Sequence, residues 1–407
     1  MRVGIGYHNR QDATWLGRHV AEDAMANGAI ERPSLVLAFC SGQTDHAAYF
    51  NALQAVIGDD VPIIGGSAVG IITNHHLSYE GDPAGAAVIE SDTLLFRVAA
   101  VCDLDKDEKG AGQALGKEIS DHRAGKLLLM FYDSVKDPPS ASSPPIMNAS
   151  PPLIEGIEEA MGSEVPIIGA GLLADYAFSH TRQFCGSFVD SQCAVGILLD
   201  GAFKPYYRIM HGCAPLDGIY HTITKIKGSV VYEVDGLPVV KLIDETYGNR
   251  NWRHQVPLRR LTIGVNHGEK YGPFEEGHYV NRVIAGSLPH GQGIVLFEPD
   301  LEEGTQIVFM LRDSAKMIES ARKNAEGLME EVLAHGRRPA FGLYIDCAGR
   351  AAHISETLSE EAREVQDVFN RQGTPLLGFY SGVEVAPLLG KSRGLDWTGV
   401  LMILAEE

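Results

Sequence analysis

Apolar runs of four to eight residues, bounded by Gly and Pro, alternate along the chain with stretches whose apolar positions recur every three or four residues. The order is fixed and one phrase marks it three times: Val61-Pro62-Ile63-Ile64-Gly65-Gly66, Val165-Pro166-Ile167-Ile168-Gly169-Ala170 and Thr374-Pro375-Leu376-Leu377-Gly378-Phe379. Recurrence in matched context indicates a repeated supersecondary unit. An apolar run precedes each copy (35–39, 127–131, 341–345) and another follows it (85–89, 193–199, 399–404). Each unit is expected to open on a further strand, at 2–7, 94–101 and 307–311.

Short runs bounded by Gly and Pro suit buried strands. The segments between them, such as 45–57 and 360–370, carry apolar residues at helical spacing and read as amphipathic helices packed on a sheet. The fold class is therefore α/β with mixed α+β character. Three strand-helix-strand-helix-strand-strand repeats form mixed sheets flanked by helices, parallel where a helix crosses over and antiparallel at the closing pair.

Residues from about 202 to 304 break this pattern. Strands are expected there at 206–210, 222–226, 230–234, 261–265 and 293–297, with turns at His211-Gly212 and Asp235-Gly236 and one helix at 238–247. The Pro/Ser-rich stretch 137–152 is expected to be a mobile loop at the ligand-facing edge.

Composition narrows the function classes. A formal net charge of −19 argues against general attraction to nucleic acid or an anionic membrane. No apolar run approaches the length of a membrane span. The first residues enter a strand without a leader-like pattern, so a cytoplasmic location is expected. The six cysteines, at 40, 102, 185, 193, 213 and 347, lack the close pairing of a disulfide framework, so reduced thiols are expected.

Taken together, VPIIG at 165–169, TRQF at 181–184, AVGILLDG at 194–201, HGCAP at 211–215, VYEVDGLP at 231–238, DCAGR at 346–350 and GFYSGVEVAP at 378–387 resemble the FIST sensory family across nearly the whole chain. The resemblance implies an N-terminal region of two repeats over 1–210 and a C-terminal region over 211–407. The latter divides into the strand-rich insertion, 211–304, and the third repeat, 305–407. It also implies an intracellular module that senses a small metabolite such as an amino acid in signal transduction. Because the paired regions account for the chain, the signal is expected to pass to a separate kinase or other output protein. Some members of the family carry haem and sense nitric oxide. No cofactor is expected here, with haem kept as the alternative and His180, His211 and His221 as its candidate donors.

Where strands run parallel, ligands gather beyond their carboxyl ends. The matching positions are Cys40 and Ser41, Asp133, and Cys347 with Arg350 after one strand, and Gly65, Gly66 and Ser67, Gly169, and Tyr380 after the other. Glycines there either bring backbone amides to an anion or simply turn the chain. Arg350 is the first choice for a carboxylate contact because of its planar fork, the competing role being internal pairing. Glu384 would answer a ligand ammonium. Asp175, His180 and Thr181 would add polar contacts, and Tyr176 lies among them. Cys40 and Cys347 are read as matching positions.

Nucleophile elbows, phosphate-binding loops, dinucleotide fingerprints and zinc-protease motifs do not occur. An enzyme using Cys347 as nucleophile is the remaining catalytic alternative; an inert packing thiol is the commoner role.

Overall fold

Each recurring phrase forms the third strand of a unit and runs parallel to the second, as a helical crossover requires. The computed structural model of the chain describes residues 1–120, 125–140, 145–162 and 165–406. Unit 1 comprises strands Arg2–Asn9, Leu35–Ser41, Ile63–Ala68 and Pro83–Glu90, with helices Ala13–Gly28 and His46–Ile57 between the first three. Unit 2 comprises strands Leu94–Val101, Leu127–Asp133, Ile167–Leu172 and Ala194–Gly201, with helices Glu108–Ser120 and Ser150–Met161. In both sheets the spatial order is first, fourth, second, third.

The phrase has the same job in every unit. Proline opens the strand where no donor is needed, and its carbonyl accepts from the second strand: Val36 N to Pro62 O at 3.0 Å, Leu128 N to Pro166 O at 3.0 Å and Gly342 N to Pro375 O at 2.9 Å. The glycine that follows lies against the neighbouring carbonyl. A Cβ on Gly65 would sit 2.0 Å from Ala38 O, and one on Gly169 would sit 1.7 Å from Met130 O.

Unit 3 keeps this order but corrects the expected start. Its first strand is Phe203–Met210, paired along its length with Gly399–Glu406; helix Ser314–Ala334, strand Arg338–Cys347, helix Ala362–Gln372 and strand Leu376–Ser381 complete it. The segment Gln306–Arg312, expected to open this unit, instead pairs with Leu261–Asn266 and His221–Lys227 in the nine-stranded sheet of the insertion. The insertion thus leaves unit 3 after its first strand and returns just before its long helix. Local periodicity identified both segments as strands but carries no information about which sheet each would join.

Every unit also lends a strand to another. Ile71–Thr73 of unit 1 pairs with Leu376–Ser381 of unit 3, Val383–Leu388 of unit 3 with Ile167–Leu172 of unit 2, and Gln183–Gly186 of unit 2 with Ile63–Ala68 of unit 1. The third strand, which would otherwise be a bare edge, is covered in all three sheets, and the units close into a ring. One apolar core joins the inward faces: Phe39 stacks on Phe379 at 3.9 Å and meets Phe131 edge-on at 5.2 Å. Helices cover the outward faces.

Three further expectations are corrected. Within 137–152, Ile146–Met147 pairs with Val135–Asp137, and Pro151 and Pro152 sit in the first turn of Ser150–Met161, where proline replaces donors the helix does not use; residues 141–144 lie outside the described residues. Cys102 and Cys193 form a disulfide between neighbouring strands of unit 2, so not all thiols are reduced. Cys40 and Cys347 do not match: Cys40 pairs with Ser67 and Cys347 with Ser381, so by register Cys40 corresponds to Asp346 and Ser41 to Cys347. One residue of offset places them on opposite sheet faces.

Candidate functional site

At the carboxyl ends of the unit 3 strands the chain leaves Cys347 through a single turn, Ala348–Arg350, and leaves Ser381 through Gly382. Leu173, Tyr176 and Phe178 approach from unit 2. Val256, Pro257, Val283 and Phe297 of the insertion form a roof, and Asp396 and Trp397 close the floor. The result is a mainly apolar crevice of about 220 Å³.

A layer of buried charge lies behind it. Arg350 is fully buried and donates from Nε and Nη2 to the two carboxylate oxygens of Glu361, each at 2.6 Å, and from Nη1 to the carbonyls of His211 and Trp397 at 2.9 and 2.8 Å. Asp346 is 3.2 Å from its Nε, and burial, followed by the Glu361 charge, raises the Asp346 pKa far above the carboxylate range. Glu384 accepts from Ser381 Oγ at 2.8 Å and Thr398 N at 3.2 Å and is also raised, chiefly by burial. Beneath the insertion Arg282 grips Asp300 with Nε to Oδ1 at 2.7 Å, while Asp396 accepts from Val283 N at 2.8 Å. Burial pushes Asp396 up to about 6, and pushes Glu298, with the Asp396 charge adding to it, up to about 8.

The structure reassigns several expected site residues. Arg350 is not free to bind an anion, because its fork is filled by Glu361. Cys347 lines the crevice, but burial raises its thiol well above the ordinary value, with Glu384 adding to the effect, so it is held protonated rather than poised as a nucleophile. Tyr380 is buried and donates to Glu360 at 3.1 Å.

In unit 1, Cys40 is buried in the core beneath the helices, and Ser41 Oγ accepts from Gln43 N at 3.2 Å. Ser67 is fully buried, with Oγ 2.8 Å from both Arg182 N and His46 Nε2, and burial holds His46 neutral with its pKa lowered to about 4. Gly65, Gly66 and Gly169 accommodate neighbouring carbonyls, that of Arg182 in the case of Gly66.

Asp133 is buried, accepts from Val135 N at 3.1 Å and Gln192 N at 3.2 Å, and is raised by burial. Gln192 also reaches His180 at 3.2 Å, and Thr181 accepts from Gln183, so these residues form a polar knot at the strand ends of unit 2. Asp175 caps its own loop through Ala177 N and Ser179 N at 2.9 and 3.1 Å.

Sequence reasoning missed the Asp396-Trp397 pair and the residues of the insertion. Asp396 and Trp397 sit immediately before a strand, at a position with no motif, and only the fold brings Val283 and Phe297 over the ends of unit 3.

Two of the three histidines named as haem donors are held by other partners. His211 is buried with Nδ1 accepting from Cys213 N and Nε2 at 3.0 Å from Glu276 O, and His221 is 2.6 Å from Asp235. Neither they nor His180 line the crevice. Among the described residues no helix is long and apolar enough to cross a membrane.

A family model for the FIST N domain matches residues 34–237 and one for the FIST C domain matches residues 242–387. The chain belongs to the FIST family. FIST domains are associated with small-ligand sensing in signal transduction. The two matches meet inside the insertion, so the FIST N match extends past units 1 and 2 and includes the first strand of unit 3. An uncharacterized protein of Mycobacterium bovis is 23% identical over 414 residues, covering 100% of both chains. One from Methanocaldococcus jannaschii is 28% identical over 177 residues, covering 40% of this FIST chain and 33% of that protein. Thermotoga maritima phosphoribosylformylglycinamidine synthase II aligns with a TM-score of 0.22 and 9% identity, covering 99% of this chain and 72% of that one. A likeness that slight carries no argument.

Proposed function

We propose that this FIST protein is a cytoplasmic sensor that binds a small metabolite in the crevice at the strand ends of unit 3 and relays occupancy to a separate signalling protein such as a kinase. The observation that supports this reading is that the crevice is walled by unit 2, unit 3 and the insertion together. A ligand there would touch parts of the chain that belong to different sheets, and differential contact with such parts is what lets binding shift a conformational equilibrium. At about 220 Å³ the space suits a metabolite better than a larger cofactor.

A thermal-shift screen of metabolites tests the proposal, paired with Ile354→Trp, which places bulk at the partly exposed wall of the crevice. A ligand at 100 times its Kd adds about 2.7 kcal/mol of stability. Hits abolished by Ile354→Trp support the reading. Hits untouched by it locate the site elsewhere, and a broad screen without hits overturns the proposal.

A further inference from the structure

We infer that the crevice takes a small organic cation, an alkyl- or arylammonium, seated among Trp397, Phe297 and Tyr176 with its charge towards Asp396. This rests on the proposal that the crevice is the ligand site, and it names the class of ligand.

Side chains of one charge sign line the space. Asp396 is in the lining, and among the described residues no Lys or Arg is. Two of the three nearby guanidinium groups are committed to carboxylates. Arg350 is filled by Glu361. Arg282 spends its fork on Asp300 and the Gly394 carbonyl, and its Nη1 is 4.0 Å from Asp396 Oδ1. Arg312 donates to Gly349 O at 3.2 Å and lies 4.4 Å from the Trp397 ring centre. A ligand carboxylate would meet Asp396 and no basic side chain in the lining, so its desolvation would be costly. An ammonium would meet a carboxylate that is ionised above pH 6, together with aromatic faces that attract cations.

An ammonium brings three donors and no acceptor, whereas an amino acid would bring an unmatched carboxylate as well.

Calorimetric titration at pH 7.5 with phenethylamine and with phenylacetate compares the two charges on nearly one skeleton. We expect the amine to bind at least tenfold tighter than the acid, and Asp396→Asn, which keeps an acceptor for Val283 N, to weaken the amine tenfold or more. Phe297→Leu, which removes an aromatic face without touching the buried charges, should weaken the amine severalfold and serves if Asp396→Asn does not fold.

Equal or tighter binding of phenylacetate, lost in Ile354→Trp, would overturn the cation while leaving the sensor proposal standing. Amine binding that survives Ile354→Trp would overturn the seat. If neither probe binds, the cation inference fails; the metabolite screen then judges the sensor proposal separately.

Discussion

Arg350 and Glu361 meet as a closed fork, with Nε facing Oε1 and Nη2 facing Oε2 at 2.6 Å and neither side chain exposed. The pair is contributed by the turn after the second strand of unit 3 and by the residue that precedes helix Ala362–Gln372, so it pins that helix to the strand ends. Asp346 and Tyr344 lean on the same pair, Tyr344 donating to Glu361 at 3.1 Å.

Arg350→Ala should therefore act on stability. Removing one partner of a buried pair typically costs about 3 to 5 kcal/mol, because the remaining charge has no compensation. Arg350→Met combined with Glu361→Leu should recover much of that loss, since apolar replacements of similar volume remove both charges together. Urea unfolding of the three proteins checks this. A single variant as stable as the parent would show that the pair is dispensable.

The seam between units 1 and 2 gives a second prediction. Gly66 has φ +148°, and a Cβ there would lie 2.1 Å from Arg182 O, on the segment unit 2 lends to unit 1. Gly186, at the end of the same lent strand, has φ +65° with nothing near its Cβ direction. Gly66→Ala should cost about 3 kcal/mol or more, as backbone must move, whereas Gly186→Ala should cost only about 1 kcal/mol of left-handed strain. Hydrogen exchange at 183–186 should accelerate in the first variant alone.

The repeat was legible because each unit restates the same local chemistry: Pro62, Pro166 and Pro375 open a strand, and Gly65, Gly169 and Gly378 follow three residues later. What stayed hidden was non-local. Phe203–Met210 and Gln306–Arg312 are both good strands, and only pairing across the chain decides which belongs to unit 3. At the candidate site Cys347 and Tyr176 were legible from their place after parallel strands. Asp396, Trp397, Val283 and Phe297 were not, because they gather only when the insertion folds over unit 3. Arg350 was misread because its partner Glu361 lies on the far side of a loop, and sequence does not distinguish a free fork from a filled one.

The disulfide supplies a third test. Cys102 and Cys193 close a loop with a sequence separation of 91, which in the chain-entropy account is worth up to about 4.6 kcal/mol. The strands beside it are already paired through Ala194 and Val101, and Cys40, Cys185, Cys213 and Cys347 remain free and buried. Cys102→Ser, or reductant on the parent protein, should lower the urea midpoint, and reductant should leave the midpoint of Cys102→Ser unchanged. Intact-mass thiol counting on protein alkylated in the cell reads the bond directly. A bond found reduced there would agree with a cytoplasmic setting, where thiols are kept reduced, while a bond found fully oxidised would count against that setting.

Stability should fall as pH rises from about 6.5 to 8, and the buried carboxyls behind the crevice are the reason; between 5 and 6.5 the buried neutral His46 and His267, lowered to about 4, act in the opposite sense. Glu298 and Asp396 are raised to about 8 and about 6, from 4.5 and 3.8, mainly by burial; Asp300, Arg282 and Tyr132 are the charged or titratable groups that act with them. Between the unfolded and folded values the folded state keeps protons that the unfolded chain has lost. The unfolded state then binds fewer protons, and stability declines with pH until each folded pKa is passed. Glu90 works in the other direction: hydrogen bonds from the backbone of Arg32 and Glu31, and from Arg2, lower it to about 2, so its contribution is lost only below about pH 4.5, a separate window. The urea midpoint at pH 8 should therefore lie below that at pH 6.5. Glu298→Gln, which retains an acceptor for Ser150 N, should shrink that decline and leave the share carried by Asp346 and Glu384, which burial also raises. A parent protein with equal midpoints at pH 6.5 and 8 would show that these carboxyls are hydrated in solution and are not held in the buried layer behind the crevice.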